Sequence, residues 1–458
     1  MSDRENGASP RSSAPVEPQP TPSSKGARGL HVAARGAAPL VRQGLSEAAA
    51  SAPQGLSEDE ARWQAELRAG MERALELFEA ARDREEVMFV ANDEQASLLQ
   101  TFLGEQADQH REELEQQGRI HELPDGSHEV QFAHTDLAGW LQSFFGYWRS
   151  LLDKHPWLPP VADPHRRLGE VARVAILGDW GTGRYGAPVC AASIAAARPA
   201  FDAILHLGDV YYCGTPAEVE ERFLAHWPRV PGAVSIALNA NHEMYSGGKG
   251  YFETALRSPL FDQPSSAVAI ENDHFLLVGL DTAYDPGDLA GDQASWLARL
   301  VGRAESRGQK IILFSHHPPF SFHDSPAEKA VEKLLPLLSE KRILAWYWGH
   351  EHRAVMYDQH EQWQLWGRCI GHSGFPYYRD DLSRAILQHP NRDGTTWNQI
   401  VKDGLPAAWI LDGPNPYVPG RESRYGPHGY ASLILDGPHL HEIVHAADGT
   451  ELWVKQLI

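Results

Sequence analysis

Residues 171–181 read VARVAILGDWG and residues 203–212 read AILHLGDVYY. In both stretches a short run of apolar residues, about as long as one strand, ends in Gly-Asp. Four further runs of this kind follow, with helical patterns between them: AVSIALNANH at 233–242, HFLLVGLDT at 274–282, KIILFSHH at 310–317 and RILAWYWGH at 342–350. Strands that alternate with helices in this way predict an α/β domain.

Polar side chains follow five of these strands at the point where each strand ends. The residues in question are Asp179, Asp209 with Tyr212, Asn241 with His242, His316, and His350 with His352. Any one of them is weak evidence, because an Asp after a strand is often only a helix cap. Together they place oxygen and nitrogen ligands where sites of α/β domains form, and such ligands suit zinc, manganese or iron. The pattern therefore predicts a metal site.

The order of these motifs resembles the calcineurin-like metallophosphoesterase superfamily, from about Val171 to His352. Within that superfamily, the D-x-G motif at 179–181 and the G-D-x-x-Y motif at 208–212 are most similar to purple acid phosphatases. The resemblance implies an α/β fold with a four-layer αββα sandwich core, in which helices flank two facing sheets. One departure is Ala240, which stands where the family usually has glycine.

The resemblance also implies a set of ligands for two metal ions. One ion would be held by Asp179, Asp209, Tyr212 and His352, and the other by Asp209, Asn241, His316 and His350. A tyrosinate favours Fe(III) at the first position. The second position would take Fe(II), Zn(II) or Mn(II), and another divalent pair is the alternative.

The reaction implied by the resemblance is hydrolysis of phosphate monoesters by metal-activated water. His242, next to Asn241, would supply or steer the proton for the leaving group. His323, seven residues after His316, is a second candidate catalytic residue, and its alternative is a solvated loop residue. Two other functions stay open, namely a phosphodiesterase acting on nucleotide or lipid-headgroup diesters, and a catalytically inactive metal-site scaffold.

The composition of the flanking regions divides the chain. Residues 1–55 are rich in Pro, Ser, Ala and Gly and hold no aromatic residue, which predicts a disordered tail. Residues 56–160 are expected to form a mostly helical N-terminal module that ends in a Pro-rich linker. Residues 165–458 are expected to form the metallophosphoesterase domain, with an irregular insertion near 379–430.

The N-terminal module has its own local signals. In chain order they predict a helix that starts with a capping box at Ser57 and Glu60, a helical stretch from Leu98 to about Gln117, a hairpin around Asp125-Gly126, and a helix that begins at Thr135 or Asp136. These helices would pack on the α/β domain or on a second subunit, so a homo-oligomer is a further expectation.

Charge and cysteine content exclude several classes of protein. The formal net charge is −20, which disfavours nucleic acid as a partner. The resemblance implies a phosphorylated small molecule as substrate. No apolar run approaches the roughly 20 residues of a membrane helix. The three cysteines form no C-x-x-C motif, and the N-terminus lacks the apolar segment of a secretory signal. These features predict a reduced, cytoplasmic protein.

Overall fold

A computed structural model describes residues 32–33, 41–43, 58–83, 93–123, 127–131 and 153–458. Most of the tail expected over residues 1–55 lies outside the described residues. So do Ser57 of the expected capping box, the turn at Asp125-Gly126 and the helix expected from Thr135 or Asp136.

Eight α-helices occur in the described part of the chain. They are α1 (Glu58–Asp83), α2 (Glu94–Gln109), α3 (Arg111–Gln116), α4 (Gly186–Ala196), α5 (Pro216–Glu218), α6 (Asn241–Met244), α7 (Gln293–Ser306) and α8 (Glu328–Ser339). Two π-helical segments, Val219–Leu224 and Gly250–Ala255, accompany them. The first three helices confirm that the described part of the N-terminal module is mostly helical.

The strands of the described residues form three sheets. They are β1 (Val32–Ala33), β2 (Ile120–Glu122), β3 (His128–Val130), β4 (Arg166–Arg167), β5 (Val171–Leu177), β6 (Ala203–His206), β7 (Val234–Ala237), β8 (Val268–Glu271), β9 (Phe275–Gly279), β10 (Lys310–Ser315), β11 (Ile343–Trp348), β12 (Ala354–Gln359), β13 (Trp366–Ile370), β14 (Leu387–Pro390), β15 (Thr396–Ile400), β16 (Ala408–Asp412), β17 (Gly429–Asp436), β18 (His439–Ala446) and β19 (Glu451–Gln456). Strands β2 and β3 pair antiparallel, which confirms the expected hairpin.

Two large sheets face each other. One has ten strands in the order β14-β15-β16-β12-β13-β11-β10-β9-β8-β4, and the other has six in the order β19-β18-β17-β5-β6-β7. Apolar side chains from both sheets, such as Ile176, Leu205 and Phe314, form one buried cluster between them. Helix α4 and the π-helical segments cover the outer face of the smaller sheet, and α7 and α8 cover that of the larger sheet. The predicted four-layer αββα sandwich is confirmed.

The direction of the central strands brings the polar motifs together. Strands β5, β6 and β7 are parallel neighbours in the smaller sheet, and β9, β10 and β11 are parallel neighbours in the larger one. Carboxyl ends of parallel strands lie at one edge of a sheet, where α/β proteins place their sites. Residues that follow β5, β6 and β7 therefore meet, as do those that follow β10 and β11.

The segment 379–430, expected to be irregular, contains regular structure. Strands β14, β15 and β16 lie inside it and extend the ten-stranded sheet at one edge. Trp397 and Trp409 are buried there, and Trp397 Nε1 donates a hydrogen bond to the Leu452 carbonyl at 2.9 Å. These strands have only four or five residues each, and turns rich in Asp, Asn and Gly separate them, so their periodicity was too short to recognise.

The N-terminal helices pack on the α/β domain. Phe78 of α1 and Phe102 of α2 belong to one buried cluster with Tyr211, Tyr212 and Phe375. The expected Pro-rich linker is also held against the domain by aromatic contacts. His155 stacks on Phe252 with a 4.7 Å centroid distance, and Trp157 meets the Tyr284 ring edge-on at 5.0 Å.

No helix in the described part of the chain is long and apolar enough to cross a membrane.

A buried ion pair joins the two large sheets. Arg368 on β13 donates through Nε to Glu442 Oε2 on β18 at 2.7 Å, and both side chains are fully buried. Tyr347 on β11 donates its hydroxyl to the same oxygen at 2.5 Å. The guanidinium also donates to the backbone carbonyls of Tyr357 and Gly367, at 2.6 and 2.8 Å.

Removing one partner of this pair is expected to destabilise the protein strongly. Arg368→Met or Glu442→Leu should each lower the free energy of unfolding by about 3–5 kcal/mol, because an unpaired charge stays buried. The double variant should lose less than the sum of the two, since it buries neither charge. Equilibrium unfolding in urea, followed by tryptophan fluorescence, measures all three, and strictly additive losses would contradict the expectation.

Candidate metal centre

The ends of the parallel strands bring the predicted ligands into one buried cluster. Asp179 follows β5, Asp209 follows β6 and His316 follows β10. One ligand atom from each of these three residues lies within 4.8 Å of the others, and all three side chains are buried. Asn241, which begins α6, and His350, which follows β11, lie beside His316.

Hydrogen bonds to neighbouring groups turn His316 and Asn241 toward each other. His316 donates its Nδ1–H to the Leu207 carbonyl at 2.9 Å, which leaves a lone pair on Nε2. Asn241 donates its Nδ2–H to the Tyr245 hydroxyl at 2.9 Å, which leaves Oδ1 as an acceptor. That oxygen lies 2.9 Å from His316 Nε2. Two lone pairs therefore face each other, an arrangement that suits a shared cation.

His350 and Asp209 add two further acceptors at the same point. His350 Nε2 lies 3.2 Å from Asp324 Oδ2, so Asp324 orients the ring and directs Nδ1 inward, 3.1 Å from His316 Nε2. Asp209 Oδ1 lies 3.4 Å from the same His316 nitrogen and is a buried oxygen with no hydrogen-bond partner among the described residues. A buried acceptor without a partner is costly unless a cation or donor compensates it. The four residues thus fit a metal ion.

A second group of ligands lies on the other side of Asp209. His352 Nε2 is 3.5 Å from Asp179 Oδ1 and 3.9 Å from Asp209 Oδ2. The hydroxyl of Tyr211 lies 2.7 Å from His352 Nε2 and 3.1 Å from Asp209 Oδ2. Carboxylate and phenol oxygens, together with an imidazole nitrogen, suit a hard or borderline metal ion. The two carboxylate oxygens of Asp209 therefore point to different groups of candidate ligands, Oδ1 toward His316 and Oδ2 toward His352.

The tyrosine hydroxyl at this position belongs to Tyr211, whereas the sequence analysis expected Tyr212. The ring of Tyr212 lies 6.2 Å from that of Tyr211 and has the guanidinium of Arg222 5.7 Å from its centroid. Tyr212 shares the buried cluster with the N-terminal helices. The spacing of the motif does not show which of two adjacent tyrosine side chains points toward the centre, because that depends on the hydrogen bonds and packing of the loop.

His242 is fully buried beside Tyr211. It donates its Nδ1–H to the Tyr212 carbonyl at 2.6 Å, and its ring lies 3.9 Å from that of Tyr211. Its Nε2 has no hydrogen-bond partner among the described residues. The ring nitrogen that could carry a proton to a substrate is therefore not committed to another group.

His323, the second candidate catalytic residue, contacts two carboxylates. Its Nδ1 lies 3.2 Å from Glu351 Oε2, and its Nε2 lies 3.5 Å from Asp380 Oδ2. Arg353 binds Asp380 with two hydrogen bonds of 2.7 Å. Burial lowers the pKa of His323, but hydrogen bonds to Asp380 and Glu351 raise it by more, and the net shift is upward. Both ring nitrogens of His323 thus lie beside carboxylates.

Four of the ligand residues have backbone conformations that are unusual for residues with a side chain. The φ angles are 56° at Asp179, 76° at Asp209, 71° at His350 and 55° at His352. Such conformations cost about 1–3 kcal/mol each and persist where surrounding contacts fix them. The His350 N–H donates to both oxygens of Asp179 at 3.0 and 2.9 Å, and the Asp209 N–H donates to Glu243 Oε2 at 3.3 Å.

The alanine in place of the family's glycine fits this backbone. Ala240 has φ −138° and ψ 171°, an extended conformation that any residue adopts. The glycine that matters is Gly208, which has φ 104°, and a Cβ there would lie 2.6 Å from the Ala240 Cβ. The departure from the family pattern at Ala240 therefore leaves the loop geometry intact.

Burial sets the charge of the cluster. It raises the pKa of the Asp179 carboxyl well above its usual range, and the neighbouring Asp209 carboxylate adds to the shift. It lowers the pKa of His316 to about 3. The neutral imidazole keeps the lone pair that a metal ion requires.

Several residues of the site were not assigned from the sequence. His317 has a ring nitrogen within 4.8 Å of ligand atoms of His316 and His350, and its Nδ1 lies 3.0 Å from the Thr282 hydroxyl. Asp324 contacts the His350 ring, and Glu243 accepts the backbone N–H of Asp209. Glu243 directly follows the Asn-His pair, and this adjacency was the one available signal; nothing near Asp324 in the sequence indicated its role.

Comparison with known proteins shows a family likeness over part of the chain. Residues 172–354 match the model of the calcineurin-like phosphoesterase family. Among solved structures, the chain is similar to a purple acid phosphatase from seeds of yellow lupin (Lupinus luteus), with 13% identity over 63% of this chain and 54% of that one and a TM-score of 0.47. The chain thus spans about half the length of the lupin enzyme.

Two further solved structures are similar to this chain. A dimetal phosphatase from Danio rerio has 13% identity over 64% of this chain and 99% of that one, with a TM-score of 0.39. GAP50, described as the anchor in the inner membrane complex of Plasmodium, has 11% identity over 62% and 88%, with a TM-score of 0.41. Comparison with curated proteins gave no match. Residues 172–354, which carry the strand ends of the candidate metal centre, are thus similar to the calcineurin-like phosphoesterase family.

Proposed function

We propose that this protein is a dinuclear metal-dependent hydrolase of phosphate esters, and specifically a phosphomonoesterase of the purple acid phosphatase kind. The observation that carries the proposal is the position of Asp209. One of its oxygens lies 3.4 Å from His316 Nε2 and the other 3.9 Å from His352 Nε2. A carboxylate between two groups of ligands is suited to bridge the two ions of a two-metal phosphoesterase. The family match supports the same class of reaction.

The residues have distinct parts in the proposed reaction. Two ions about 3.5–4 Å apart would supply an activated water and neutralise charge on the phosphoryl group. Asp179 and His316 are fully buried, whereas Asn241 and His350 are partly exposed, so substrate would approach from the side of the latter two. As the oxygen of the water bonds to phosphorus and the ester P–O bond breaks, His242 Nε2 would take the proton that the water loses and pass it to the leaving alkoxide.

The metal pair in this proposal is Fe(III) with Fe(II), Zn(II) or Mn(II), or another divalent pair. Cys190, Cys213 and Cys369 are all buried and unpaired, which supports a reducing, cytoplasmic location. A reducing location favours the divalent pair. The substrate would be a phosphorylated small molecule, as the family likeness supports, and the net charge of −20 disfavours nucleic acid. A homo-oligomer through the N-terminal helices stays a prediction.

Metal content and turnover test this function together. Protein purified without chelator is expected to hold two metal ions per chain and to hydrolyse p-nitrophenyl phosphate faster than bis-p-nitrophenyl phosphate. Asp209→Asn should lose bound metal and about a thousandfold or more in turnover, since metal charge contributes several kcal/mol. Asp403→Asn, at an exposed position, is the matched control. Elemental analysis and a spectrophotometric assay measure both quantities.

The other functions are distinguished by the same experiment. Turnover of the diester alone would favour a phosphodiesterase acting on nucleotide or lipid-headgroup diesters. Absence of bound metal and of turnover after reconstitution would favour an inactive scaffold and would refute the proposal.

Asp324→Asn is expected to weaken metal binding by about 10–100-fold, the usual effect of losing a carboxylate that orients a histidine ligand. The change removes the negative charge that lies 3.2 Å from His350 Nε2. Competition with a chromophoric chelator measures the affinity. Asp381→Asn is the control, because Asp381 is exposed and its Oδ1 accepts from the Ser383 amide, away from His350. An equal loss in both variants would mean that Asp324 acts only as surface charge.

His242 and His323 are expected to respond differently to substitution. His242→Asn should lower turnover of an alkyl phosphate by about 10²–10⁴-fold and affect p-nitrophenyl phosphate less, because nitrophenolate leaves without a proton.

His323→Gln should lower stability instead of turnover. The pKa of His323 is raised in the folded protein, so its stabilising effect is fully present below about pH 6.5 and is lost as pH rises through the raised value. Thermal unfolding of both proteins across this range measures the difference, and a constant difference would contradict it.

A further inference from the structure

A cavity of about 220 Å³ lies beside the candidate metal centre, and four separate segments of the chain form its walls. These segments are the start of α2, the segment before β4, the end of α6 and the loop after β9. Six of the lining residues matter here, namely Glu94, Lys154, Met244, Tyr245, Ala283 and Tyr284. We propose that this cavity binds an uncharged aromatic ester group of the phosphomonoester substrate. The inference rests on the proposed function, because the cavity selects an ester group only if the centre hydrolyses the ester.

Two walls of the cavity are each one contact away from the exposed side of the candidate centre. The Tyr245 hydroxyl accepts the Nδ2–H of Asn241 at 2.9 Å. Tyr284 follows Thr282 by two residues, and the Thr282 hydroxyl lies 3.0 Å from His317 Nδ1. Asn241 and His317 are both partly exposed, so this is the side from which substrate would approach. The cavity therefore borders the place where the ester group of a bound phosphate would lie.

The wall formed by Tyr284 is rigid. Its hydroxyl donates to the His155 carbonyl at 2.9 Å, and its ring lies 5.0 Å from that of Trp157 in an edge-on contact. Lys154 Nζ lies 3.8 Å from the centroid of the same ring. A side chain that is already fixed loses little conformational entropy when a ligand binds, so an aromatic ligand gains most of the contact energy.

The size and composition of the cavity indicate the kind of ester group. Met244, Tyr245 and Ala283 contribute a thioether, an aromatic ring and a methyl group to the lining. A thioether contacts an aromatic ring favourably. A dry cavity of about 150 Å³ holds one benzene molecule, whereas pockets for drug-sized ligands have about 300–1,000 Å³. A cavity of about 220 Å³ is thus suited to a single substituted ring.

The charged groups at the cavity favour an uncharged occupant. Lys154 Nζ lies 3.1 Å from Asp285 Oδ1, so its positive charge is already paired. Glu94 lines the cavity from the first turn of α2, and burial, with a smaller effect of the neighbouring Asp93, raises the pKa of its carboxyl. An ionised Glu94 repels an anionic ester group, and its raised pKa reduces the attraction that it offers to a cation.

Two of the lining residues lie outside the segment with the family likeness. Glu94 and Lys154 precede residues 172–354 in the chain. The preference for an aromatic ester group is therefore expected to depend partly on residues that the likeness does not include.

The esters 2-phenylethyl phosphate and ethyl phosphate form a matched pair, since both release a primary alcohol and they differ in the phenyl ring. Wild type is expected to have a kcat/KM at least about tenfold higher for the phenylethyl ester, mainly through a lower KM. Met244→Ala should lower the ratio of the two kcat/KM values about three- to tenfold, because it removes an apolar contact to the ring. Leu335→Ala, at an exposed position on α8, is the matched control and should keep the ratio. Any loss of folded or metal-loaded protein cancels in a ratio measured on one sample.

A second variant and a binding measurement support the same test. Tyr284→Leu replaces the aromatic wall and should also lower the ratio, with near-ultraviolet circular dichroism as the check on folding. The phosphonates 2-phenylethylphosphonate and ethylphosphonate are not hydrolysed, so calorimetric titration of metal-loaded protein with each measures the preference without turnover. Wild type is expected to bind the phenylethyl compound at least about tenfold more tightly, and Met244→Ala should reduce this difference.

Three outcomes overturn the inference. Equal kcat/KM values for the two esters in wild type would show that no aromatic site is present, and turnover of both would leave the proposed function intact. A ratio that stays unchanged in both Met244→Ala and Tyr284→Leu would place the phenyl ring outside this cavity, again with the proposed function intact. Wild type that binds no metal and hydrolyses no monoester would refute the proposed function, and the inference with it.

Discussion

The Asp209 carboxylate is the constraint on which the candidate centre depends. It is fully buried after β6, and its two oxygens lie toward two different groups of ligand atoms. A negative charge in this position needs positive charge near it. The neutral lone pairs of His316 and Asn241 do not supply that charge, which is why a cation fits.

The backbone around Asp209 is organised to hold strained ligand residues in place. Asp179 accepts the His350 N–H, which links the end of β5 in the smaller sheet to the end of β11 in the larger one. Glu243 accepts the Asp209 N–H and the next N–H along the chain. Two buried carboxyl side chains thus fix the loops that carry candidate ligands, by hydrogen bonds from backbone amides.

The N-terminal helices contribute to the same loop instead of forming a separate unit. Thr101 donates to Glu218, and Glu218 accepts three backbone N–H groups between Tyr212 and Thr215. Contacts between these helices and the loop after β6 explain why Phe78 and Phe102 are buried. The family match covers residues 172–354 and does not include these helices. The loop that contains Glu218 is therefore stabilised partly by residues outside the matched segment.

The sequence by itself determined the α/β fold and most of the candidate ligands. Short apolar runs that end in Asp, Asn or His specify both a strand and the chemistry at its end, and this information is local. Parallel strands then bring those ends together, so Asp179, Asp209 and His316 could be expected to meet. The strands β14–β16 were missed because each is too short for its periodicity to be recognised.

Only the tertiary structure decided which neighbouring side chains reach the centre. Tyr211 and Tyr212 are chemically alike and differ by one position, so spacing alone could not choose between them. His323 likewise follows His316 at a suggestive distance, and the side chains that contact it, Glu351 and Asp380, come from later segments of the chain. The direction of a side chain in a loop depends on hydrogen bonds and packing with residues far away in sequence. These long-range contacts exist only after the chain has folded, so a local residue pattern does not predict the direction of such a side chain.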